Sequence, residues 1–429
     1  MDPVLWPDLK EKRILLAVSG GIAAYKAAEL CRLLIRCGAH VQVVMTRAAR
    51  EFVGEATFAA LSGEQVATRL FDPQREASIS HIELTDEADL LLLAPATANL
   101  LAQMAGGLAS DLVTTLYLAF QGPVVVAPAM NVKMWAHVAT QQNAAVLRER
   151  GHLFVGPAEG EMACGHVGAG RMSEPEDVLL AVGYALTPSC LKGRRVLITA
   201  GSTREPLDSV RFIANHSSGK MGFALAVEAA AQGAEVTLVA GPGALEAPAG
   251  VAFERVGTAE EMATRVLQNV AAVDVIVMAA AVADYRPLEV SPVKLKKEVW
   301  GDEPQVTLER TQDILQTLGE RFGAGGGPVL VGFAAESAPD TASLDTLARE
   351  KLARKRCHLL VANDISRADA GFAGDSNRVV IYAPDGSRED VPLAGKRHIA
   401  SRVLAQVVQL LEDRRLAAGG GRSPVRDRP

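Results

Sequence analysis

The sequence predicts an α/β protein built from two doubly wound parallel-sheet domains in tandem, and three observations point there. Short, near-continuous apolar runs alternate with amphipathic stretches, the pattern of strands covered by helices on both faces. The pattern then restarts: RILLAVSGG at 13–21 and RVLITAG at 195–201 both run a strand into a glycine turn. At 429 residues the chain is too long for one ordinary domain, and its 49% apolar content is ample for two cores.

The elements follow in order. RILLAV (13–18) reads as a buried strand, SGGIAAYKAAELCRLLIRCG as a glycine turn entering a helix, and HVQVVMT (40–46) as the second strand. DLLLLAP (89–95), PVVVAPAM (123–130) and HLFVG (152–156) supply three more, with helical stretches between them. EMACGHVGAGRM (161–172) carries Gly165, Gly168 and Gly170 without apolar periodicity, so it reads as a mobile glycine loop bearing Cys164. LTPSCLKGR (186–194) is a short linker.

After the restart come a helix from Lys220, a strand at 235–241, a helix near 258–270 and a strand at 273–281. PVLVGFAAE (328–336) and HLLVAND (358–364) are further strands, 379–391 a hairpin and 395–414 a closing helix. The Gly/Arg/Pro-rich end is expected to be disordered. The expected domains are therefore 1–190 and 191–414, both Rossmann-like, with a tail at 415–429.

Composition excludes several classes. A net charge of −6 argues against a generic nucleic-acid or anionic-membrane binder. Five cysteines without a C-x-x-C pair suggest reduced thiols rather than a disulfide framework or zinc site. Cys31, Cys37, Cys190 and Cys357 read as structural. MDPVLWPDLKEKR lacks the apolar run of a secretory signal, and VDVIVMAAAVA is too short to span a bilayer. The expectation is a cytoplasmic protein with no membrane partner.

Ligands of such domains sit at the carboxyl ends of the strands. AVSGGIAAYKA matches neither G-x-G-x-x-G nor the phosphate-loop rule, yet its paired glycines leave backbone N–H groups at a helix N-terminus, a site for phosphate. The second strand ends in Thr46-Arg47 rather than an acid that would grip an NAD ribose, which favours a mononucleotide. Read alone, the segment is equally a plain strand-to-helix turn. Two further strand ends, APATANLLAQMAGGLASDL and PAMNVKMW, place small and amide residues at the same edge.

These motifs resemble the flavin-dependent cysteine decarboxylases, with their P-A-[ST]-A-N and P-x-M-N-x-x-M signatures. The resemblance implies FMN held by Ser19, Gly20, Gly21, Ile22, Thr46, Ala94, Pro95, Ala96 and Thr97. It implies His81, in ISHIEL ahead of a strand, as the active-site base and Asn131, with Met130, as the grip on the substrate carboxylate. Cys164 matches the proton-donating cysteine of a substrate-clamping flap, with Arg171 and Met172 beside the substrate. Oxidation of a CH₂–SH to a thioaldehyde places C=S beta to the carboxylate, so CO₂ can leave, and hydride return makes the reaction redox-neutral. Without that context, His81 fits a capping residue, Asn131 a turn residue and Cys164 an idle thiol.

ITAGSTREPLDSVRFIANHSSGKMGFALA (198–226) is the most specific stretch. Lys220 after Gly219 approaches a phosphate loop, but Ala214 and Met221 break the rule at two positions. AAAVADYRP sets Asp284 beyond a strand, where it can face a nucleotide or its metal. KLKK offers Lys294, Lys296 and Lys297 on a mobile segment. RTQDIL and VGFAAE follow, and REKLARKR puts Lys351 and Lys355 at i, i+4 on one helix face. Alone, those lysines fit a solvated face.

This half resembles the phosphopantothenate–cysteine ligase domain that follows the decarboxylase in the bacterial bifunctional enzymes of coenzyme A biosynthesis, and the similarity to those enzymes covers both halves in order, from about Lys12 to Leu411. The resemblance implies CTP bound through Met278, Ala279, Ala280, Asp284, Lys294, Gln312, Asp313, Ile314, Leu315, Phe333, Lys351 and Lys355, with Mg²⁺ at Asp284. Asn215 would turn over an acyl-cytidylate, with Arg211 near the substrate and Lys294 stabilising phosphoryl charge. The implied partners are 4′-phosphopantothenate, cysteine and CTP. The implied assembly is a homo-oligomer, with decarboxylase trimers and ligase dimers. Ser202 and Gln312 stand where the family pattern has proline, which bears on loop rigidity.

Two other readings have stated discriminators. An NAD-dependent oxidoreductase would need the G-x-G-x-x-G turns and strand-end acids that are missing. A flavin-binding scaffold would keep a flavin spectrum without turnover.

Overall fold

The computed structural model describes residues 6–70, 81–161, 167–296, 304–323, 325–337, 340–364 and 374–419. The chain divides into two compact units between Pro188 and Ser189.

In the first unit, β1 (Arg13–Val18), β2 (His40–Met45), β3 (Leu90–Ala96), β4 (Val124–Pro128) and β5 (Leu153–Phe154) form one sheet in the order β2-β1-β3-β4-β5. Every pairing is parallel. Alternate residues of β3 divide between two cores. Leu90, Leu92 and Ala94 pack with α1 (Ala24–Arg36), α2 (Glu55–Ser62) and α8 (Pro175–Leu186). Leu91, Leu93 and Ala96 pack on the opposite face with α4 (Ala98–Gly106), α5 (Leu112–Ala119) and α7 (Val138–Glu149). Period-2 side chains and double coverage explain the continuous apolar runs. Strand order reverses between β1 and β3, and this opens the crevice where ligands of doubly wound sheets bind.

One expectation needs correction here. The glycine-rich stretch is not a plain loop: β6 (Ala158–Glu161) and β7 (Val167–Arg171) pair antiparallel as the arms of a hairpin, with Gly160 opposite Gly168. The reason is close approach. A Cβ on Gly168 would lie 2.8 Å from Val132 Cγ2, in the short helix α6 (Val132–Ala136), and the Met130 amide donates to the Gly170 carbonyl at 2.9 Å. Cys164 lies outside the described residues.

His81 stands ahead of β3, as expected, and begins helix α3 (His81–Asp86). Leu84 and Thr85 are buried there while Ile82 is exposed. The Thr85 hydroxyl donates to the Ile82 carbonyl at 2.8 Å, a local bond between residues three apart.

In the second unit, β8 (Arg195–Ala200), β11 (Glu235–Ala240), β12 (Ala252–Arg255), β13 (Val275–Met278), β16 (Val329–Glu336) and β17 (Leu359–Asp364) are parallel. β18 (Ser376–Tyr382) and β19 (Arg388–Gly395) join antiparallel, giving the order β12-β11-β8-β13-β16-β17-β18-β19. β9 (Glu205–Pro206) and β10 (Phe212–Ile213) form a small hairpin, and β14 (Tyr285–Pro287) pairs antiparallel with β15 (Leu308–Arg310). Order reverses between β8 and β13.

Helix α9 (Lys220–Ala231) starts directly above that reversal, and α10 (Ala259–Asn269), α11 (Ile314–Phe322), α12 (Thr341–Lys355) and α13 (Lys396–Gly419) complete the layers. Gly222 lets α9 lie tight against β8: a Cβ there would meet Ala200 Cβ at 2.5 Å and the Thr199 carbonyl oxygen at 2.7 Å. The closing helix runs past the expected end at 414, through residues 415–419 of the expected tail. Those residues include Leu416, Ala417 and Ala418, good helix formers with no proline among them. The rest of the expected tail lies outside the described residues.

No helix among the described residues is long and apolar enough to cross a membrane. Cys31 and Cys357 are buried, and burial pushes both thiols up to about 11. Cys190 is exposed, so the expected packing role does not extend to it.

Candidate functional site

The first unit has a cavity of about 920 Å³ at its strand-order reversal. The loop after β1 supplies Ser19, Gly20, Gly21 and Ile22, the end of β2 supplies Thr46, and Thr97 opens α4. The Ser19 hydroxyl donates to the Pro95 carbonyl at 2.7 Å and accepts from the Thr97 amide at 3.1 Å. Thr46 and Thr97 each cap the turn they begin, accepting from the amides of Ala49 and Leu100. The amides of Gly20, Gly21 and Ile22 donate to no protein acceptor among the described residues. They sit at the start of α1, where helix polarity favours an anion.

Met130, Asn131, Arg171 and Met172 border the same cavity. Asn131 caps α6, its side chain accepting from the Lys133 amide at 2.9 Å, so it is a turn residue and a wall residue together. Ala94, Pro95 and Ala96 differ from expectation: they are buried inside β3 and contribute no wall. Their part is to hold the loop that Ser19 bridges. The His81 side chain and Cys164 lie outside what is described.

Lys26 was missed. It lines the cavity while buried, its Nζ donating to the Met172 carbonyl and to Glu174 Oε2, both at 3.0 Å. Arg171 reaches the other oxygen of Glu174 at 2.8 Å. One carboxylate therefore ties α1 to the foot of the β6–β7 hairpin. The signal was in the sequence: Lys26 is the one charged side chain in the stripe it shares with Ala27, Leu30 and Leu34.

The second unit has a cavity of about 1100 Å³, again at the reversal of strand order. Met278, Ala279, Ala280 and Asp284 border it from the end of β13, Gln312 to Leu315 from the start of α11, Phe333 from β16, and Lys351 and Lys355 from α12. Asn215 joins them, its Nδ2 donating to the Val282 carbonyl at 3.0 Å. Lys351 pairs with Glu336 at 2.8 Å, and Lys355 with Asp313, which also caps α11 through the Gln316 amide. Burial holds the Lys355 ammonium below its usual value, with Asp284 pulling the other way. Gln312 Nε2 donates to Thr317 Oγ1 at 3.3 Å, a tether where the family pattern has proline.

Lys294 and Arg211 are not part of this wall. Arg211 instead forks onto Asp208 through Nε at 2.9 Å and Nη2 at 2.6 Å, and donates to the Leu295 carbonyl at 2.9 Å. Asp208 also accepts from the Leu295 amide at 3.1 Å. The Arg211 guanidinium, with the amides of Arg211, Val210 and Leu295, holds that carboxyl well below the usual carboxylate range. The arginine is thereby spent on tying 294–295 to the β9–β10 hairpin, which spacing could not disclose. Lys297 lies outside the described residues.

Lys220, Lys396, Asn363 and Asn377 also border the cavity and were not expected there. With Lys351 and Lys355 they make four lysines around one opening, which the first turn of α9 also faces. Such a site suits a polyphosphate. Among the described residues no group of three or more His, Cys, Asp or Glu could hold a metal ion.

Comparison with known proteins bears on both units. A family model described as DNA/pantothenate metabolism flavoprotein C-terminal domain matches residues 191–411, and one described as Flavoprotein matches 7–185. The coenzyme A biosynthesis bifunctional protein CoaBC of Vibrio cholerae is 48% identical over 397 residues, covering 92% of this chain and 98% of that protein. The protein of the same description from Escherichia coli is 45% identical, covering 95% and 99%. Among solved structures, the C-terminal domain of a coenzyme A biosynthesis bifunctional protein CoaBC is 42% identical, covers 52% of this chain and 99% of that one, and has a TM-score of 0.44.

Proposed function

The chain belongs to the family of bifunctional CoaBC proteins of coenzyme A biosynthesis, and from that premise we propose that it carries out two consecutive reactions, one in each unit. In the second unit the carboxylate of 4′-phosphopantothenate attacks the α-phosphorus of CTP, releasing pyrophosphate and forming an acyl-cytidylate. The amine of cysteine then displaces CMP. In the first unit 4′-phosphopantothenoylcysteine loses CO₂ to give 4′-phosphopantetheine without net redox change.

The observation that carries the ligase reading is the meeting of four lysines, the α9 N-terminus and Asn215 around one cavity of about 1100 Å³. An amine cannot displace oxide from a free carboxylate, so a leaving group must be attached first, and nucleotidyl transfer supplies one. The lysines offset the triphosphate charge, and Asp284 is the wall carboxylate suited to Mg²⁺. Asn215, fixed by its bond to Val282, is suited to hold the acyl-cytidylate during amine attack. Lys294 and Arg211 keep their expected roles on family likeness alone.

The first cavity fits FMN by its volume, by the unbonded amides of Gly20 to Ile22, and by the absence of an acid at the end of β2. When bound, FMN supplies reversible two-electron oxidation of the substrate thiol to a thioaldehyde, which lets the carboxylate beta to it depart. Ser19, Thr46 and Thr97 would shape the phosphate end. Asn131 would orient the carboxylate with Met130, Arg171 and Met172 against the substrate, His81 would accept a proton near neutral pH, and Cys164 would return one.

Mass spectrometry of the full chain incubated with 4′-phosphopantothenate, cysteine, CTP and Mg²⁺ tests both halves. The expected products are 4′-phosphopantetheine, CO₂, CMP and pyrophosphate. Accumulated 4′-phosphopantothenoylcysteine would remove the decarboxylase, and absence of CMP the ligase.

A further inference from the structure

Strands β8 and β13 pair in parallel as far as Thr199 and Met278, where both chains leave the sheet. The two loops still run side by side beyond that point, with Ser202 bridged to Ala281. Here side-chain hydroxyls take over part of the pairing. The Thr199 hydroxyl accepts from the Ala280 amide at 3.1 Å, the Gly201 carbonyl from the Ala281 amide at 2.8 Å, and the Thr203 hydroxyl from the Ala283 amide at 3.0 Å. Thr199 and Thr203 are both fully buried, and Ala283 is buried beside them. An amide buried past the end of a sheet needs an acceptor, and a short side-chain hydroxyl supplies it.

The bond to Thr203 matters because of what shares its peptide group. The Ala283 N–H and the Val282 C=O belong to one planar unit. That carbonyl accepts from Asn215 Nδ2 at 3.0 Å. Thr203 and Asn215 therefore hold opposite ends of a single peptide group, and the Thr311 hydroxyl fixes the next carbonyl, that of Ala283, at 2.5 Å. The two ends of an asparagine amide have nearly the same shape, so only a partner decides which way it turns. The Val282 carbonyl draws Nδ2 and leaves Oδ1 and the second N–H for other partners.

We propose that Thr203 is a positioning residue for the second half-reaction of ligation: it fixes the 282–283 peptide, and through that peptide's carbonyl it sets the orientation of the Asn215 amide at the cavity wall. The proposal rests on the ligase reading. In that half-reaction the cysteine nitrogen bonds to the acyl carbon, the bond to the cytidylate oxygen breaks with its electron pair leaving on CMP, and the nitrogen sheds a proton to water. Negative charge builds on the acyl oxygen meanwhile, and an amide donor held at a fixed angle stabilises it better than one that swings. Thr203 is not part of the cavity wall, so its effect passes through Asn215, which is.

Rapid-quench assays of the full chain separate the half-reactions: pyrophosphate release from CTP, Mg²⁺ and 4′-phosphopantothenate, then consumption of acyl-cytidylate when cysteine is added. Thr203→Val keeps the shape and removes the acceptor; it is expected to slow consumption about 10-fold while pyrophosphate release stays within about twofold. Thr203→Ser, which keeps the hydroxyl, is expected to recover most of the rate. In an Asn215→Asp background Thr203→Val is expected to add less than about twofold, because residues acting through one group are not additive. Thr311→Val, which removes the neighbouring bond to Ala283, is expected to slow consumption in the same selective way by a smaller factor, and it carries the test if Thr203→Val does not fold. Unchanged consumption in the variant that folds overturns the proposal. Equal slowing of both half-reactions, or full additivity with Asn215→Asp, makes Thr203 a structural residue only and likewise overturns it, with the ligase reading left standing. A wild type that forms no acyl-cytidylate removes the ligase reading and the proposal together.

Discussion

Ser19 and Pro95 lie 76 residues apart, yet the Ser19 hydroxyl donates to the Pro95 carbonyl at 2.7 Å and the Ser19 amide donates to the same oxygen at 3.3 Å. The hydroxyl oxygen also accepts from the Thr97 amide at 3.1 Å. One buried side chain thus sets the spacing of the two loops that leave β1 and β3, and with it the mouth of the first cavity. Ser19→Ala leaves the Thr97 amide short of that partner, and a bond of this kind contributes about 1 kcal/mol, more when a buried group is stranded. Affinity for FMN is expected to fall about 10-fold, read by flavin fluorescence quenching on the apoprotein. Unchanged affinity would detach the bridge from flavin binding.

Gly222→Ala is expected to act on the second unit alone. The new Cβ would overlap Ala200 Cβ and the Thr199 carbonyl, backbone and short side chain that cannot rotate away, so α9 must withdraw from β8. Overpacking of this sort costs about 1–3 kcal/mol. Calorimetry should show a lowered unfolding transition together with weaker CTP binding, while CO₂ release from supplied 4′-phosphopantothenoylcysteine is kept. A melt and CTP affinity equal to wild type would show that the helix absorbs the methyl group.

Asn215→Asp exchanges an amide donor for a carboxylate beside the Val282 carbonyl that now accepts from it at 3.0 Å. The expected result is accumulation of acyl-cytidylate, seen by chromatography of quenched reactions, with a slowed second half-reaction. An unaltered ligation rate would take Asn215 out of the chemistry.

His358 gives the fold a pH dependence. Its Nδ1 accepts from the Leu330 amide at 2.9 Å, and Arg414 faces Nε2 at 2.5 Å. Burial, and then the Arg414 charge, push the imidazole down to about 4 from its ordinary 6.5. Between those values the unfolded chain binds a proton that the folded one refuses, so this group's contribution to stability is lost as pH falls from 6.5 toward 4. Denaturant unfolding at pH 7 and pH 5 should show a larger loss for wild type than for His358→Gln. Equal losses would mean that other groups govern the acid limb.

Most of the fold was legible. Strands whose two faces are both buried must be apolar throughout, so RILLAV, DLLLLAP and RVLITAG announced themselves, and each glycine turn marked a strand running into a helix. The motif residues at strand ends were legible too, because doubly wound topology brings every strand's carboxyl end to one edge, whatever the sequence distance. Local pattern misled where the glycines of the 161–172 stretch suggested looseness, since Gly168 serves close docking.

What the sequence by itself determined was the class of the two units, the restart between them, and the residue types gathered at each strand-order reversal. What only the tertiary structure decided was the partner each polar side chain takes. Arg211 goes to Asp208 rather than to the cavity; Lys26 is buried against Met172 and Glu174; and Arg397 meets Glu228, which lies 169 residues away in the chain. The physical reason is range. Burial patterns repeat every two or three to four residues and can be read locally, whereas a hydrogen bond or ion pair depends on angstrom-scale distances between segments that only the packed chain brings together.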